Sequence, residues 1–404
     1  CIAVDQFTSQ PEYWQRAEEL AAGKPSTLHI VLPEAYLGTP QEEERMQTIR
    51  RTMQEYRKSV LTRRVHGFVY VERTQMDGTI RQGLVGAVDL EAYDYNPGSK
   101  PAIRPSEKTV VERIPPRLKV RRGAILETPH VMMLADDEKK TLIEPIGDHK
   151  DSLPLLYDGE LMLGGGHLRG WAVEDPALID QINAALADLA DEKKFAARWP
   201  RAAGEPPMVL AVGDGNHSLA TAKACWEAIK PTLSDEARVD HPARFALCEL
   251  VNLHSPALIF RPVHRVVFGA EIDALQSGFE RYLRAHGMTL ADGGEVTLVQ
   301  GGARRGFAIQ GRGDRLPVDV LQKYLDQACG EKSGWSLDYV HGDADAAGLA
   351  QSGATAALLG AMDKRALFPA IAAGGVLPRK TFSMGEATEK RYYMECRRID
   401  AKNP

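Results

Sequence analysis

The chain contains 404 residues, and at about 150 residues per domain this length corresponds to two or three domains. Hydrophobic residues make up 44% of the sequence and charged residues 26%, close to the averages for soluble globular proteins, so a disordered or fibrous chain is excluded. The formal net charge of −5 argues against strong non-specific binding to nucleic acid or anionic membranes. It does not exclude a local basic patch on the surface.

The spacing of cysteine and histidine limits the classes of site that the chain can carry. The five cysteines form no CxxC pair, which argues against zinc ribbons, thioredoxin-like motifs and disulfide scaffolds and favours a reducing cytoplasm. The spacing of His254 and His264 matches no metal signature, so no transition metal is predicted.

The longest uncharged apolar run, 352–362, is much shorter than the roughly 20 residues that cross a bilayer, so no membrane span is expected. A first residue Cys1 fits a lipidated lipoprotein, but the strand-like residues after it favour a truncated start.

Strand and helix patterns alternate through the first half of the chain. Apolar residues at three- and four-residue spacing predict a helix over 41–61, and Asp77-Gly78 predicts the turn of a hairpin. The segment 97–129 is rich in proline and charge and predicts a surface loop with at most a short helix, because Pro115-Pro116 is incompatible with a helix interior. Further strands are expected at 1–4, 28–32, 67–73, 81–89, 130–135 and 141–145, and further helices at 11–20 and 176–197.

The second half begins with an apolar strand at 208–212, a glycine-containing turn and a helix from Ser218. The elements expected after it are strands at 296–300, 306–310, 335–340, 355–361 and 391–399, and helices at 317–329, from 343 and at 363–373. This alternation is typical of an α/β protein with a mixed sheet. We expect a main α/β lobe over 1–268 that carries the site, a second, smaller α/β lobe over 269–375, and C-terminal strands over 376–404 that return to the main lobe.

The strongest candidate site is the turn between the apolar strand and the helix. It comprises Gly213, Asp214, Gly215, Asn216, His217 and Ser218. A glycine turn that leads into a helix leaves backbone N–H groups free to bind an anion or phosphate. Asp214 could bind Mg²⁺ or a substrate amine, and His217 could act as an acid–base group or phosphate donor. The alternative is an Asx-turn, in which Asp214 and Asn216 only cap the helix.

A dinucleotide-binding turn is a further alternative for the same segment. Gly213-x-Gly215-x-x-Ser218 differs from the nicotinamide or flavin fingerprint by one small residue. Asp214, however, would direct a carboxylate toward the pyrophosphate of such a cofactor. A Walker A loop is excluded, because no Gly-Lys-Ser/Thr follows the glycines.

Two other segments carry candidate phosphate ligands. In the proline-rich segment, Arg104, Arg113 and Arg117 offer guanidinium groups and Glu107 and Glu112 offer carboxylate bases, or the charges form a solvated face. In the glycine cluster 163–167, Gly165 would allow a close backbone approach and His167 could donate to an anion. The alternative for this cluster is a bulge or tight hairpin. Near the C-terminus, Lys380 and Thr381 could reach a phosphate, or they belong to an ordinary exposed strand.

Several of these segments, in the same order along the chain, resemble one family. The blocks are 4–14, 104–117, Pro129-His130, 164–167, 214–217 and 377–385. They are similar to the family known as domain of unknown function 1015, and the resemblance covers essentially the whole chain. Many members of that family carry Asp-Gly-His-His-Arg at the strand–helix turn, which resembles the turn of ParB- and sulfiredoxin-like folds.

That wider group includes archaeal free-serine kinases, so the resemblance implies a ParB/sulfiredoxin-like strand–turn–helix element. Asp214 and Gly215 match the turn, Asn216 replaces a histidine, His217 matches the second histidine, and Ser218 replaces the arginine. Because that arginine is the strongest phosphate ligand of the turn, Arg113, Arg117 or Lys380 would have to supply the charge.

The function implied is a cytoplasmic phosphotransferase that uses ATP or ADP, with Mg²⁺ at Asp214, to phosphorylate serine or a similar small hydroxy amino acid. In this hypothesis Glu112 is the general base, and Arg113 or Lys380 stabilises the phosphoryl charge. The alternative is a non-catalytic module that binds a small anion or a peptide as a sensor or scaffold. Sequence-specific binding of nucleic acid is disfavoured by the net charge of −5, whereas a homo-oligomer is compatible with the sequence.

Overall fold

A computed structural model describes residues 2–401 except 5, 9, 314, 332, 333 and 391. The chain divides into two compact units, of which the first contains Cys1–Leu258 with Gly385–Pro404 and the second contains Ile259–Met384. The starts of two predicted strands, at Cys1 and Arg391, lie outside the described residues.

The first unit contains eight of the described α-helices. They are α1 (Pro11–Ala21), α2 (Glu42–Ser59), α3 (Ile114–Arg121), α4 (Glu144–Asp148), α5 (Pro176–Leu189), α6 (Glu192–Arg198), α7 (Asn216–Ile229) and α8 (Asp235–Val239). Its strands up to Leu258 are β1 (Ala3–Val4), β2 (Leu32–Pro33), β3 (Phe68–Thr74), β4 (Ile80–Asp89), β5 (Ile103–Pro105), β6 (Leu126–Glu127), β7 (Val131–Ala135), β8 (Leu155–Glu160), β9 (His167–Val173), β10 (Leu210–Asp214) and β11 (Phe245–Asn252).

An eight-stranded mixed sheet forms the centre of the first unit, in the order β5-β10-β7-β11-β4-β3-β9-β8. The pairs β10–β5 and β11–β7 are parallel, and the other pairs are antiparallel. β7 and the first three residues of β10 are apolar and buried, as is typical of strands covered on both faces of a sheet. Helix α7 packs on this sheet through Leu219, Ala222 and Trp226, which belong to the main hydrophobic core.

The second unit is built around an antiparallel sheet with the strand order β14-β13-β16-β12-β15, and β17 pairs with one end of β12. Its strands are β12 (Phe260–Phe268), β13 (Thr289–Gln300), β14 (Ala303–Gln310), β15 (Ser336–His341), β16 (Thr355–Leu359) and β17 (Phe382–Met384). Its helices are α9 (Ile272–Ala285), α10 (Pro317–Glu331), α11 (Asp343–Gln351) and α12 (Leu367–Gly374). Both units combine helices with a sheet, which confirms the predicted α/β class with a mixed sheet.

The second unit begins before the expected boundary at 268/269, because β12 pairs with β15 and β16 inside that unit. It ends at Met384, after β17 has paired with β12. The last strand of the chain, β18 (Arg397–Arg398), pairs with β6 of the first unit. No helix among the described residues is both long and apolar enough to cross a bilayer.

Three predicted elements are wrong for a local reason. A fourth, the strand expected at 391–399, forms only as β18 (Arg397–Arg398) within the described residues. The strand expected at 28–32 is mostly a 3₁₀ helix, Thr27–Ile30, because the Ser26 side chain accepts the N–H of Leu28 and starts a turn. The strand expected at 141–145 is a turn that leads into α4, because the Asp137 carboxylate accepts the N–H groups of residues 141 and 142. The prolines at 115 and 116 do not prevent a helix, since they occupy the first turn of α3, where no intrahelical N–H donor is needed.

Candidate functional site

The turn 213–218 leaves the large sheet at the carboxyl end of β10. The pairing of β10 with β7 shifts register between Val212 and Asp214, and such a bulge redirects the side chain that follows it. Gly215 then adopts a positive φ of 82° directly before α7. A Cβ atom on this residue would lie 3.1 Å from the Cα of Val131, so the positive φ favours glycine and the neighbouring backbone leaves only tight space for a side chain.

Helix α7 begins at Asn216, two residues before the predicted start at Ser218. Its first N–H groups have no acceptor within the helix, so the turn presents donors at the positive end of a 14-residue helix. Residues 213–218 are all partly exposed. Asn216 donates from Nδ2 to Ser106 Oγ at 3.3 Å, and its Oδ1 is buried with no hydrogen-bond partner among the described residues.

His217 connects the turn to the proline-rich segment. The backbone N–H of Val110 donates to His217 Nε2 at 3.2 Å, so this nitrogen carries no proton, and the neutral ring carries its proton on Nδ1. The Thr221 hydroxyl donates to the carbonyl of His217 at 2.7 Å, which fixes the residue from the helix side. Together with the contact of Ser106, this bond brings residues 106–110 to the turn.

Asp214 forms an ion pair that the sequence did not indicate. Its Oδ2 lies 3.2 Å from Nζ of Lys390, and the two side chains are 29% and 16% exposed. This contact, rather than a helix cap, occupies the carboxylate, so within the described part of the chain the Asx-turn is not formed by Asp214. Lys390 follows the family-like block 377–385 by a few residues, and no local pattern marked it as a site residue.

The backbone of His130 lies behind Gly215, and the buried side chains of His130 and Gln6 were not among the residues predicted from the sequence. The carbonyl oxygen of His130 would be 3.4 Å from a Cβ atom at Gly215. His130 Nε2 lies 3.4 Å from Nε2 of Gln6, and its ring packs edge-on against Tyr393. Both residues are in the family-like blocks 4–14 and 129–130, which was the one signal available in the sequence.

The guanidinium groups of Arg104 and Arg117 bind protein acceptors. Arg104 is buried beside β10 and donates to the carbonyls of Pro101 and Pro206 at 3.0 and 2.7 Å, and burial lowers its pKa. Arg117 is 5% exposed, forms an ion pair with Glu34, and donates to the carbonyl of Arg113 at 2.8 Å. Both groups therefore stabilise the fold of the proline-rich segment.

Glu112 and Arg113 lie on a 3₁₀ turn, Val111–Arg113, directly after the residue that donates to His217. Both side chains are exposed to solvent. The Arg113 backbone N–H donates to the carbonyl of Val110 at 3.0 Å, which closes this turn. The predicted base is thus on a short, hydrogen-bonded element that is attached to the candidate turn.

Gly165 and His167 lie elsewhere in the first unit. They belong to the hairpin of β8 and β9, which four strands (β7, β11, β4 and β3) separate from β10 in the sheet. His167 contacts Glu160 at 2.8 Å and Asp158 at 2.5 Å, and the hydrogen bonds that its ring donates to the carboxylates of Glu160 and then Asp158 raise its pKa. The carbonyl of Gly165 accepts a hydrogen bond from Arg73 at 3.1 Å.

Lys380 and Thr381 belong to the second unit. The carbonyl of Lys380 accepts a hydrogen bond from the buried Arg265 at 2.7 Å, and the Thr381 hydroxyl donates to the carbonyl of Pro378 at 2.7 Å. Thr381 also lines a cavity of about 510 Å³ inside this unit, together with an ion pair between Glu295 and Arg312.

The residues at the turn do not form a resident magnesium site. Mg²⁺ requires near-octahedral oxygen ligands, whereas Asp214 offers one carboxylate that is already paired with an ammonium group. Among the described residues, no group of three or more His, Cys, Asp or Glu side chains is arranged to hold a metal ion.

Comparison with known proteins gives one family and several distant structures. No protein with curated annotation matches the chain. A free serine kinase mutant in complex with ADP has 11% identity and a TM-score of 0.39, over 74% of this chain and 87% of that chain. A conserved hypothetical protein from Pyrococcus furiosus has 11% identity and a TM-score of 0.38, over 78% and 95% of the two chains. A C-terminally truncated SbnI from Staphylococcus aureus has 8% identity and a TM-score of 0.39, over 74% and 82%. Residues 1–327 match the family described as "Protein of unknown function (DUF1015)", and because this match spans most of the sequence, the chain belongs to that family.

Proposed function

We propose that the first unit binds a nucleotide (ATP or ADP) at the turn 213–218 and transfers a phosphoryl group to serine or a similar small hydroxy amino acid. The observation that carries this proposal is the arrangement at the head of α7. There Asp214 and His217 are partly exposed on either side of Gly215, whose positive φ of 82° directly precedes the first backbone N–H groups of the helix. The Asp-Gly-x-His order of the turn, similar to that of free-serine kinases, supports the same reaction.

Phosphoryl transfer needs positioning and charge neutralisation more than covalent help from the protein. In the proposed reaction the substrate hydroxyl oxygen forms a bond to phosphorus while the bond from phosphorus to the leaving oxygen of the nucleotide breaks. A carboxylate accepts the hydroxyl proton, and we assign this role to Glu112, on the turn that is attached to His217 through Val110. Asp214 would hold the substrate amine through Oδ1, since Oδ2 faces Lys390, and a magnesium ion would arrive with the nucleotide phosphates as part of the substrate.

A second function, non-catalytic binding of a small anion or a peptide, is favoured by one specific observation. The guanidinium groups of Arg104 and Arg117 are committed to protein acceptors, and Ser218 stands in place of the family's arginine. A turn with fewer cationic ligands can hold an anion without stabilising the charge of a transition state.

The two functions are separated by one experiment. The purified protein is incubated with ATP or ADP and each of serine, threonine and homoserine, and phosphorylated product is detected by phosphorus NMR. The Asp214→Asn variant should lose at least about 100-fold of any turnover, as expected for a group that positions substrate, whereas Asp235→Asn, an exposed helix-start control, should keep it. Nucleotide binding without product would favour the binding module. If no nucleotide is consumed and none shifts the melting temperature, the kinase is rejected.

A further inference from the structure

The ion pair between Lys390 and Asp214 joins the C-terminal segment to the candidate turn. Lys390 ends a short 3₁₀ helix, Ala387–Lys390, and its Nζ lies 3.2 Å from Asp214 Oδ2. The two side chains are 16% and 29% exposed. The pair is therefore shielded enough to be ordered, and a small ligand can still reach it from solvent.

The residue before Lys390 is held by a buried arginine. Arg81 donates from Nη1 to the carbonyl of Glu389 at 3.2 Å, and it pairs with the carboxylate of Glu249 through Nη2 at 3.1 Å and Nε at 3.2 Å. Both side chains of this pair are almost completely buried, at 3% and 2% exposure. The Glu389 carboxylate also accepts hydrogen bonds from Gln75 and from the backbone N–H of residue 386.

A second buried arginine holds the chain after Lys390. Arg73 donates from Nη2 to the carbonyl of Tyr392 at 3.1 Å. Arg73 and Arg81 lie directly opposite each other on β3 and β4, so two neighbouring guanidinium groups fix the segment on both sides of the lysine. Burial, and then the positive charge of Arg81, lowers the pKa of Arg73 to about 10. Burying two like charges side by side costs free energy of folding. The arrangement fixes the position of Lys390 relative to the sheet from which the turn emerges.

A cation is needed at this position because the turn is otherwise unfavourable to phosphate. Residues 213–218 contain no lysine or arginine, and Asp214 adds a negative charge beside the N–H groups of α7. An ammonium group at 3.2 Å offsets that charge. It also has three N–H donors, so it can contact the carboxylate and a second acceptor together.

We propose that Lys390 is a phosphate-binding residue of this site. Its ammonium group stays paired with Asp214 and directs another N–H to a phosphate oxygen of the ligand bound at 213–218. The class of ligand is a compound with a phosphate or pyrophosphate group. The inference rests on the proposed function in that it places phosphate at this turn, and it adds a cationic ligand from a distant part of the sequence.

The test measures binding of two probes, ADP and inorganic pyrophosphate, by titration calorimetry. Lys390→Met should weaken the binding of both probes by about 10- to 100-fold, the usual loss for a hydrogen bond to a charged group. Lys390→Arg should recover most of the affinity, because it keeps the charge and the donors. The matched control is Lys230→Met, which removes another paired lysine, 2.8 Å from Glu91, beyond the opposite end of α7. It should change affinity by less than about twofold.

The outcomes separate this inference from the proposed kinase activity. Pyrophosphate binding that depends on Lys390, without any nucleotide consumption, would support the inference and reject the kinase. Nucleotide turnover with unchanged affinity in Lys390→Met would support the kinase and reject the inference. If neither probe binds the wild-type protein, the inference is rejected, and the kinase is rejected as well if ATP is not consumed. Thermal unfolding of each variant without ligand shows whether it is folded, and if Lys390→Met unfolds, Lys390→Gln at lower temperature takes its place.

Discussion

The backbone N–H of Val110 donates to Nε2 of His217 across 3.2 Å. This bond attaches the segment that carries Glu112 to the first turn of α7, although the two residues come from separate parts of the sequence. A histidine in this position serves as a structural acceptor, whatever chemical role it has in addition. It therefore explains how a loop that follows a short edge strand, β5, stays next to the candidate site.

His217→Ala should lower the hydrogen-exchange protection of the Val110 amide by about 5-fold or more, because the amide loses an acceptor worth about 1 kcal/mol. Thr221→Val is the matched control, since it removes a hydrogen bond to the His217 carbonyl and leaves the ring in place. Mass spectrometry of exchanged peptides over 106–113 measures the effect. Equal protection in His217→Ala and wild type would mean that the bond does not hold the loop.

Gly215→Ala should destabilise the protein by about 2–3 kcal/mol, because the alanine would have a positive φ and its Cβ would lie 3.1 Å from the backbone of Val131. Gly204→Ala is the control. Its φ is 88°, but no atom lies within 4 Å of the added Cβ, so it should cost only about 1 kcal/mol. Urea unfolding compares the two variants, and equal losses would contradict the steric part of the argument.

Arg81→Met should reduce the free energy of unfolding by about 3–5 kcal/mol, because Glu249 would be left as a buried, unpaired charge. Removing both charges, in Arg81→Met with Glu249→Leu, should recover at least half of this loss. Lys194→Met, which breaks an exposed ion pair with Asp188, should cost less than about 1 kcal/mol. Urea unfolding tests all three, and a double variant no more stable than the single one would refute the explanation.

Arg117→Met should lower stability by about 3 kcal/mol, since its buried guanidinium group pairs with Glu34 and donates to the carbonyl of Arg113. Arg113→Met, at an exposed position, should change stability by less than about 0.5 kcal/mol. Thermal and urea unfolding measure both changes. A stable Arg117→Met protein would show that the arginine is not structural, and Arg117 would again be a candidate phosphate ligand.

The pKa of His167 is raised by its hydrogen bonds to Glu160 and Asp158. The protonated form is thus favoured in the folded state, so its stabilisation is complete below the unfolded pKa of about 6.5 and is lost as pH rises through the folded value. His167→Gln should therefore melt at a lower temperature than wild type at pH 5.5, and the difference should shrink by pH 8.5. The effect should stay below about 1 kcal/mol, because the pair is partly exposed. A difference that grows with pH would contradict the assigned sign.

Local patterns in the sequence were sufficient for most of the regular elements and for the turn itself. The periodic residues of α2 and the Asp77-Gly78 hairpin fixed these elements nearly to the residue, because burial of one helix face and a turn with positive φ are decided within a few residues. Gly215 is likewise recognisable, since a strand, a glycine and a helix in succession demand its conformation. The same local logic failed at 141–145, where the Asp137 side chain accepts two backbone N–H groups and a turn forms in place of the predicted strand.

The partners of the charged residues were decided only by the tertiary structure. Arg104 and Arg117 are indistinguishable in the sequence from arginines that face a ligand, yet burial directs them to protein carbonyls and to Glu34. Lys390 meets Asp214 only because the chain returns to the first unit after the second unit is complete and two buried arginines of β3 and β4 then fix its position. An ion pair between distant residues leaves no periodic trace in the sequence, since its energy depends on separation and burial and not on neighbours along the chain.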